Sequence, residues 1–148
     1  MAGYSGTPLW KKLGYKDGLV ACASGTPKDY IASLDLPPTV SVKWASRAGH
    51  DTAIVHLFAT RTRVLETRLQ SLRNAIPPSG AIWVSWPKKS SGVPSDITED
   101  VIRAVALPLG LVDVKVCAID DVWSGLKLMI RKELRATIQE GRRPRLTR

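Results

Sequence analysis

The residues whose types suit the binding of a charged ligand follow the ends of three predicted strands. These hydroxyl and basic side chains are Ser24 and Thr26 after the first strand, Thr60 and Arg61 after the third, and Lys88, Lys89, Ser90 and Ser91 after the fourth. Because the carboxyl ends of parallel strands meet at one edge of an open sheet, we expect these residues to line one crevice. Helix N-termini attract anions through free N–H groups and the helix dipole, and lysines add positive charge. The sequence therefore predicts a site for a phosphate- or carboxylate-bearing ligand.

The same residues also have a purely structural interpretation. Every helix needs capping groups at its N-terminus, and paired lysines mostly face solvent. Asp96, with Glu99 three residues later, forms the pattern of a capping box, so one of these helix starts is predicted to be satisfied by the chain itself.

No residue is predicted to be catalytic, and none is predicted to bind a metal. His56 lies in the middle of a strand with no partner at a useful spacing, which favours a hydrogen-bonded core residue. Cys22 and Cys117 lie in predicted strands among apolar neighbours, where a free thiol packs as a small hydrophobe. Asp120 and Asp121 are adjacent, so they do not point at one reacting atom, and a turn with solvated carboxylates is predicted.

Two tryptophans are candidates for a contact surface. Trp86 ends a predicted strand and Trp123 lies in a predicted hairpin. Aromatic residues are enriched at protein interfaces, so both are predicted to contact a protein partner or a second copy of the chain. Core packing is the alternative for Trp86.

The composition is that of a globular domain. The chain has 148 residues, of which 44% are hydrophobic and 24% charged, and this length is sufficient to bury a core without disulfides or metals. No apolar run approaches the roughly 20 residues that span a bilayer. The first residues do not resemble a secretory signal, so we expect a cytoplasmic protein without membrane contact.

Positive charge is concentrated near the C-terminus. The formal net charge is +9, and more than half of it falls after residue 130. Arg142, Arg143, Arg145 and Arg148 are the basic residues closest to the end. A basic segment attracts phosphates without reading sequence, so nucleic-acid binding through these arginines and the basic surface is one predicted function. A solvated terminus is the structural alternative.

The hydrophobic pattern predicts alternating strands and helices followed by a hairpin. Strands are predicted over 19–23, 40–45, 52–58, 81–86, 112–119 and 126–131, and helices over 7–14 and after Thr26, Thr60 and Asp96. Because six residues separate the last two strands, they are predicted to pair antiparallel. The fold class is therefore α/β, a three-layer Rossmann-like, mostly parallel sheet of about six strands. Residues 1–132 are predicted to form one domain, and 133–148 a basic tail.

This order of elements resembles the S-adenosylmethionine-dependent methyltransferase fold, with one strand and its helix missing from the first half. Residues 51–58 take the place of the fourth strand and 78–84 that of the fifth. More closely, residues 3–14, the segment Trp-Pro-Lys-Lys-Ser-Ser-Gly over 86–92 and the segment Asp-Val-Trp-Ser-Gly-Leu over 121–126 resemble a family of small actinobacterial proteins with a domain of unknown function. That resemblance covers residues 3 to about 131 and implies no activity.

The methyltransferase resemblance implies a cofactor site, and three positions depart from it. Such folds bind the cofactor with a glycine-rich first turn and an acid after the second strand. Here the first turn has the single glycine Gly25, Arg47 follows the second strand without a carboxylate, and Arg61 stands where many relatives carry an acidic or amide motif. We therefore expect no S-adenosylmethionine and no other cofactor. The predicted function is a noncatalytic binding or regulatory module for a protein or a phosphorylated small molecule; a divergent methyltransferase is the further alternative.

Overall fold

The computed structural model describes residues 6–141, in which strands and helices alternate before a final hairpin and helix. The strands are β1 (Val20–Ser24), β2 (Lys43–Trp44), β3 (Thr52–Phe58), β4 (Ala81–Pro87), β5 (Leu111–Ala118) and β6 (Trp123–Ile130). The helices are α1 (Leu9–Leu13), α2 (Tyr30–Leu34), α3 (Thr62–Ala75), α4 (Glu99–Ala106) and α5 (Lys132–Gly141), and single 3₁₀ turns cover Lys89–Ser91 and Leu107–Leu109.

The six strands form one mixed sheet in the order β2-β1-β3-β4-β6-β5. Strands β2, β1, β3 and β4 are parallel, and β6 is inserted antiparallel between β4 and β5. Since β5 is antiparallel to β6, it runs in the same direction as β4, and its carboxyl end lies at the same edge as those of β1, β3 and β4. The predicted fold class, including the antiparallel hairpin, is confirmed.

Helices cover both faces of the sheet, so the molecule has three layers. On one face, the apolar side of α3 (Leu65, Leu69 and Leu72) packs with α4 and α5 over the inward residues of β3, β4 and β6. On the other face, Leu13 of α1 and Tyr30 and Leu34 of α2 pack over Ile54, Phe58 and Trp83. Within β6, Leu126, Leu128 and Ile130 are fully buried, as their alternation predicts.

Several element ends differ from the predicted ones. Strand β2 has two residues instead of six, because hydrogen bonds join it to β1 only around Lys43 and Trp44. Helix α1 begins after Pro8, so Thr7 is not its N-cap. Helix α2 begins only after Asp29, because a turn from Pro27 to Tyr30 precedes it; the expected cap residue, Thr26, lies outside the helix.

The folded part of the chain extends past residue 132, where the sequence analysis ended the domain. Helix α5 starts at Lys132, and its Leu134 and Ile138 pack against the core under α3 and α4. Nε of Arg135 donates a hydrogen bond to the carbonyl of Ile130 at 2.9 Å. Part of the predicted tail is therefore a structural helix of the domain.

Candidate functional site

A small crevice lies at the carboxyl edge of the sheet, on the face covered by α1 and α2. Its volume is about 200 Å³, and its lining residues are Pro27, Lys28, Asp29, Tyr30, Ser33, Phe58, Ile119 and Asp120. Phe58 is the last residue of β3, Ile119 and Asp120 follow β5, and the others belong to α2 or the turn before it. The crevice thus lies where open α/β sheets bind ligands.

A chain of buried hydrogen bonds runs beneath this crevice. The hydroxyls of Tyr15 and Tyr30 are 2.7 Å apart, and the Tyr30 hydroxyl is also 2.7 Å from Nδ1 of His56. Nε2 of His56 is 2.6 Å from Oγ of Ser85 on the neighbouring strand β4. Neutral imidazole has one donor and one acceptor nitrogen, so both ring nitrogens are satisfied in either tautomer. The prediction that His56 is a hydrogen-bonded core residue is confirmed.

Burial keeps every member of this chain uncharged near neutral pH. Loss of water contact lowers the pKa of His56 to about 3, because the imidazolium form is the one that burial penalises. Burial raises the pKa of Tyr15 to about 12 and raises that of Tyr30 further. Within residues 6–141, no buried side-chain nitrogen or oxygen lacks a hydrogen-bond partner. This row of hydrogen bonds therefore stabilises the fold, and none of its side chains has a free group that could exchange protons with a ligand in the crevice.

Aromatic rings pack against one another in the floor of the crevice. The rings of His56 and Phe58 stack at 4.2 Å between centroids, and Tyr30 meets Phe58 edge-on at 5.3 Å. The ring of Trp123, from β6, packs edge-on against Phe58 at 5.1 Å. Such pairs stabilise beyond the area they bury. One aromatic cluster thus joins α2, β3 and the hairpin under the candidate site.

The turn after β1 is closed against the end of β3. Gly25 has a φ of +68°, and a Cβ built on it would overlap the carbonyl oxygen of Phe58. Glycine is needed here because the backbone of β3 itself approaches so closely. The carbonyl of Phe58 therefore occupies the position that a side chain on residue 25 would take.

The structure corrects the predicted roles at the start of α3. Asp96 does not cap α4; the side chain of Thr98 does, by accepting a hydrogen bond from the backbone N–H of Val101. Asp96 instead reaches the N-terminus of α3, where its Oδ1 accepts from the backbone N–H of Thr62 at 2.6 Å. The hydrogen bonds that the backbone N–H and the hydroxyl of Thr62 donate to this oxygen lower the pKa of the Asp96 carboxyl. The anion at the helix start beside Thr60 and Arg61 is thus a carboxylate of the protein.

The structure separates the other predicted anion-site residues. Nζ of Lys88 donates to the carbonyl of Asp120 at 2.8 Å, which places Lys88 beside the crevice and ties it to the hairpin. Oγ of Ser91 donates to the carbonyl of Lys88, while Lys89 and Ser90 are exposed. Ser24 ends β1 and is half-buried, and Thr26 is exposed in the turn that follows. None of these six residues is among those lining the crevice, and their binding of an anion stays a prediction.

The two candidate interface tryptophans have different surroundings. Trp86 is only 9% exposed and packs in the core under α3 and α4, as the core-packing alternative predicts, so it offers a partner little surface. The full length of β4, Ala81–Pro87, is buried on both faces, which leaves its alternate residues no exposed side. Trp123 is half-buried against Phe58. A shared contact surface of the two rings is therefore absent.

Other predicted features have these outcomes. Both cysteines are free and buried, and burial raises the pKa of each thiol, as expected of structural residues. In the described part of the chain, no group of three potential ligands could hold a metal ion, and no helix is long and apolar enough to cross a membrane. Arg142, Arg143, Arg145 and Arg148 lie outside the described residues, so nucleic-acid binding through them stays a prediction, as does self-association.

Sequence reasoning missed Tyr30 and Ser85 as the partners of His56, and Tyr15 as the partner of Tyr30. The alternation along β3 places His56 on the same face as Ile54 and Phe58, which is readable from the sequence. Its partners come from α2 and from a neighbouring strand, 26 and 29 residues away. No local spacing connects them.

Comparison with solved structures identifies the fold. A methyltransferase from Aquifex aeolicus described as SAM dependent has a TM-score of 0.58 and 13% identity, over 82% of this chain and 87% of that one. Magnesium protoporphyrin IX methyltransferase from Synechocystis PCC 6803 with bound SAM has a TM-score of 0.56 and 12% identity, over 78% of this chain and 71% of that one. TrmN from Thermus thermophilus has a TM-score of 0.57 and 9% identity, over 83% of this chain and 47% of that one. The predicted methyltransferase-like, Rossmann-like fold is confirmed.

At the level of sequence, no family model matches the chain, and no curated protein matches it either. Identities of 9–13% to the solved structures establish the fold alone, because one such fold serves many functions. Function must therefore be argued from the site.

Proposed function

We propose that the chain is a noncatalytic binding module in which the crevice over Tyr30 and Phe58 takes a small ligand. The observation that supports this most directly is the state of His56, the titratable side chain directly beneath the crevice. It is fully buried, and both of its ring nitrogens are engaged by Tyr30 and Ser85. A general acid or base must reach the proton it transfers, and this imidazole is enclosed.

The lining indicates the class of ligand. Phe58 and Ile119 offer an apolar surface, while Lys28, Asp29 and Asp120 are exposed charged groups around it. A volume of about 200 Å³ is below the roughly 300–1,000 Å³ of pockets for drug-sized ligands. The ligand in this proposal is a small compound with a flat apolar part and one or two polar substituents.

S-adenosylmethionine, which similar structures contain, fits the crevice poorly. The Phe58 carbonyl fills the space beside Gly25, and the crevice is small for a nucleoside cofactor. After β2 the chain continues Ala45-Ser46-Arg47, without the carboxylate that holds ribose hydroxyls in such folds. These features support a module without this cofactor, whereas the fold similarity is what favours a divergent methyltransferase as the second candidate.

Thermal unfolding with S-adenosylmethionine and its demethylated product separates the two candidates. A ligand at about 100 times its Kd stabilises by about 2.7 kcal/mol, which is readily seen as a rise in Tm. We expect no rise at about 1 mM of either compound, a concentration sufficient to reveal micromolar binding. A saturable rise would overturn the cofactor-free proposal and favour the methyltransferase.

Ligand-observed NMR with small aromatic acids and amines tests the crevice itself. Ser33→Leu fills the crevice from α2, and Ser79→Leu is the matched control, because Ser79 is exposed in the turn before β4 at the opposite edge of the sheet. Compounds that bind the wild type and Ser79→Leu are expected to lose binding to Ser33→Leu. Compounds retained by Ser33→Leu, or no binding to any of the three proteins, would overturn the crevice as the ligand site.

A further inference from the structure

Four lysines from three elements come together near the β5 edge of the sheet, on the face covered by α1. Lys11 and Lys12 of α1 and Lys115 of β5 line a groove of about 410 Å³, whose other lining residues are Thr7, Val116, Cys117 and Ala118. Lys127 of β6 lies directly opposite Lys115 in the antiparallel ladder. Lysines from three separate elements thus concentrate positive charge in and beside one concave surface.

A β-bulge places Lys115 on this face. The ladder passes from the pair Asp113 and Leu128 to the pair Lys115 and Lys127, so Val114 is an extra residue on β5. The bulge directs Lys115 to the α1 face while Asp113 stays on the opposite face, where its Oδ2 accepts from Nε of Arg103 at 3.1 Å. The nearest acid on the strand is therefore turned away from the lysines and neutralised elsewhere.

The two facing lysines oppose each other electrostatically. Like charges directly opposite in an antiparallel pair destabilise a sheet. Partial burial and the charge of Lys115 both lower the pKa of Lys127. Lysines and bulges on edge strands prevent edge-to-edge association, and this explains Lys115 on the edge strand β5. It does not explain Lys127, because β6 is an interior strand between β4 and β5.

We propose that the groove between α1 and β5 binds phosphate groups through Lys11, Lys12, Lys115 and Lys127. A polyphosphate placed there neutralises the opposed lysines, and charge-assisted hydrogen bonds to phosphate oxygens are the strong ones. This site is separate from the crevice over Tyr30 and Phe58, and it does not depend on the ligand proposed for that crevice. The phosphates belong either to a small molecule or to a nucleic-acid backbone.

Calorimetric titration of the full chain with tripolyphosphate at low salt tests the site. The double variant Lys115→Gln/Lys127→Gln removes the two opposed charges. Lys43→Gln/Lys132→Gln is the matched control, because it also removes two positive charges, from exposed lysines on β2 and at the start of α5 that do not line the groove. We expect tripolyphosphate to bind the double variant about tenfold or more weakly, because strong charge-assisted contacts are lost. In the control, we expect the affinity to change by less than about twofold. Equal weakening in both variants would reduce the effect to overall net charge and overturn the proposal.

A second titration identifies the source of the phosphates. A fluorescently labelled single-stranded oligonucleotide is titrated into the same three proteins, with tripolyphosphate as competitor. Oligonucleotide binding that is lost in the double variant and displaced by tripolyphosphate assigns the groove to nucleic acid; tripolyphosphate binding alone assigns it to a small molecule. Retention of both probes by the double variant overturns the site. Should the double variant fail to unfold cooperatively, Lys115→Gln alone, an exposed position, replaces it.

Discussion

The hydroxyl of Tyr30 lies 2.7 Å from Nδ1 of His56, and neither side chain has more than a trace of exposure to solvent. This contact joins α2 to the centre of the sheet directly under the candidate crevice. It engages the histidine from one side while Ser85 engages it from the other. The polar centre of this face is therefore a structural network whose partners depend on one another.

Tyr30→Phe is expected to destabilise the fold more than Tyr15→Phe. The first change leaves Nδ1 of His56 and the hydroxyl of Tyr15 without a partner, whereas the second removes only the hydrogen bond between the two tyrosines. Unpaired buried polar groups cost about 1–3 kcal/mol each, so we expect a loss of about 3 kcal/mol for Tyr30→Phe and about 1 kcal/mol for Tyr15→Phe. Urea unfolding of both variants measures this difference, and equal losses would contradict the network.

The free energy of unfolding is expected to decrease as the pH is lowered, because of His56. Its pKa is lowered from 6.5 to about 3 in the folded chain, so below pH 6.5 the unfolded chain binds a proton that the folded chain does not. The free energy of unfolding therefore decreases as the pH falls from 6.5 toward 3, by about 2 kcal/mol at pH 5. His56→Gln is expected to flatten the profile between pH 6.5 and 5, and His50→Gln, at an exposed position, is expected to keep it. Parallel profiles for wild type and His56→Gln would refute this origin.

Gly25→Ala and Gly92→Ala distinguish the cost of a left-handed backbone conformation from the added cost of a steric overlap. Both glycines have positive φ, +68° and +76°, but a Cβ at Gly92 meets nothing within 4 Å, whereas one at Gly25 overlaps the Phe58 carbonyl. A left-handed non-glycine residue costs about 1–2 kcal/mol, which we expect for Gly92→Ala. Gly25→Ala is expected to cost about 1–3 kcal/mol more, because the end of β3 must move. Chemical denaturation of the pair provides the comparison.

Asp96→Ala is expected to lower the urea midpoint by removing the group that accepts a hydrogen bond at the N-terminus of α3. Asp96→Asn is expected to keep most of the stability of the wild type. The amide oxygen of asparagine still accepts the hydrogen bond from the Thr62 N–H. The hydrogen bonds from Thr62 lower the pKa of this carboxyl, so its contribution is present at neutral pH and decreases as the pH falls through that lowered value. If alanine and asparagine were equally destabilising, the capping role would be excluded.

Lys127→Gln is expected to stabilise the free protein. It removes one of two like charges that face each other across β5 and β6, which is worth ~0.2–1 kcal/mol in a sheet. Added salt should reduce the difference from wild type, since screening weakens the repulsion. Lys43→Gln, on the far edge strand, is expected to leave the free energy of unfolding unchanged. A destabilised Lys127→Gln would show that the repulsion is unimportant.

The strands of the sheet were predictable, whereas several caps were not. Apolar runs such as Thr52–Phe58 and the alternation of Leu126, Leu128 and Ile130 are local patterns, and the structure places them as predicted. Asp96 was assigned to the nearer helix in sequence, but its carboxylate lies at the start of α3, 34 residues before it. A capping carboxylate can serve either of two helix starts, and only their arrangement in space selects one.

The candidate site was predictable only as a position. The rule that ligands bind at the carboxyl edge of an open sheet indicated the edge where the structure has the crevice, and Lys88 lies beside that crevice through its bond to Asp120. The residues that line the crevice are others, because α2 is short and starts late, which brings Tyr30 and Ser33 over Phe58.

Hydrophobic periodicity and the short final connection were sufficient to predict an α/β sheet that ends in a hairpin, because both act between residues close in sequence. Strand order and register decided the rest. They bring Tyr30 to His56, close Gly25 against Phe58 and set Lys115 opposite Lys127 through a one-residue bulge. Each of these contacts joins residues from separate elements, and such pairings arise only when the whole core packs.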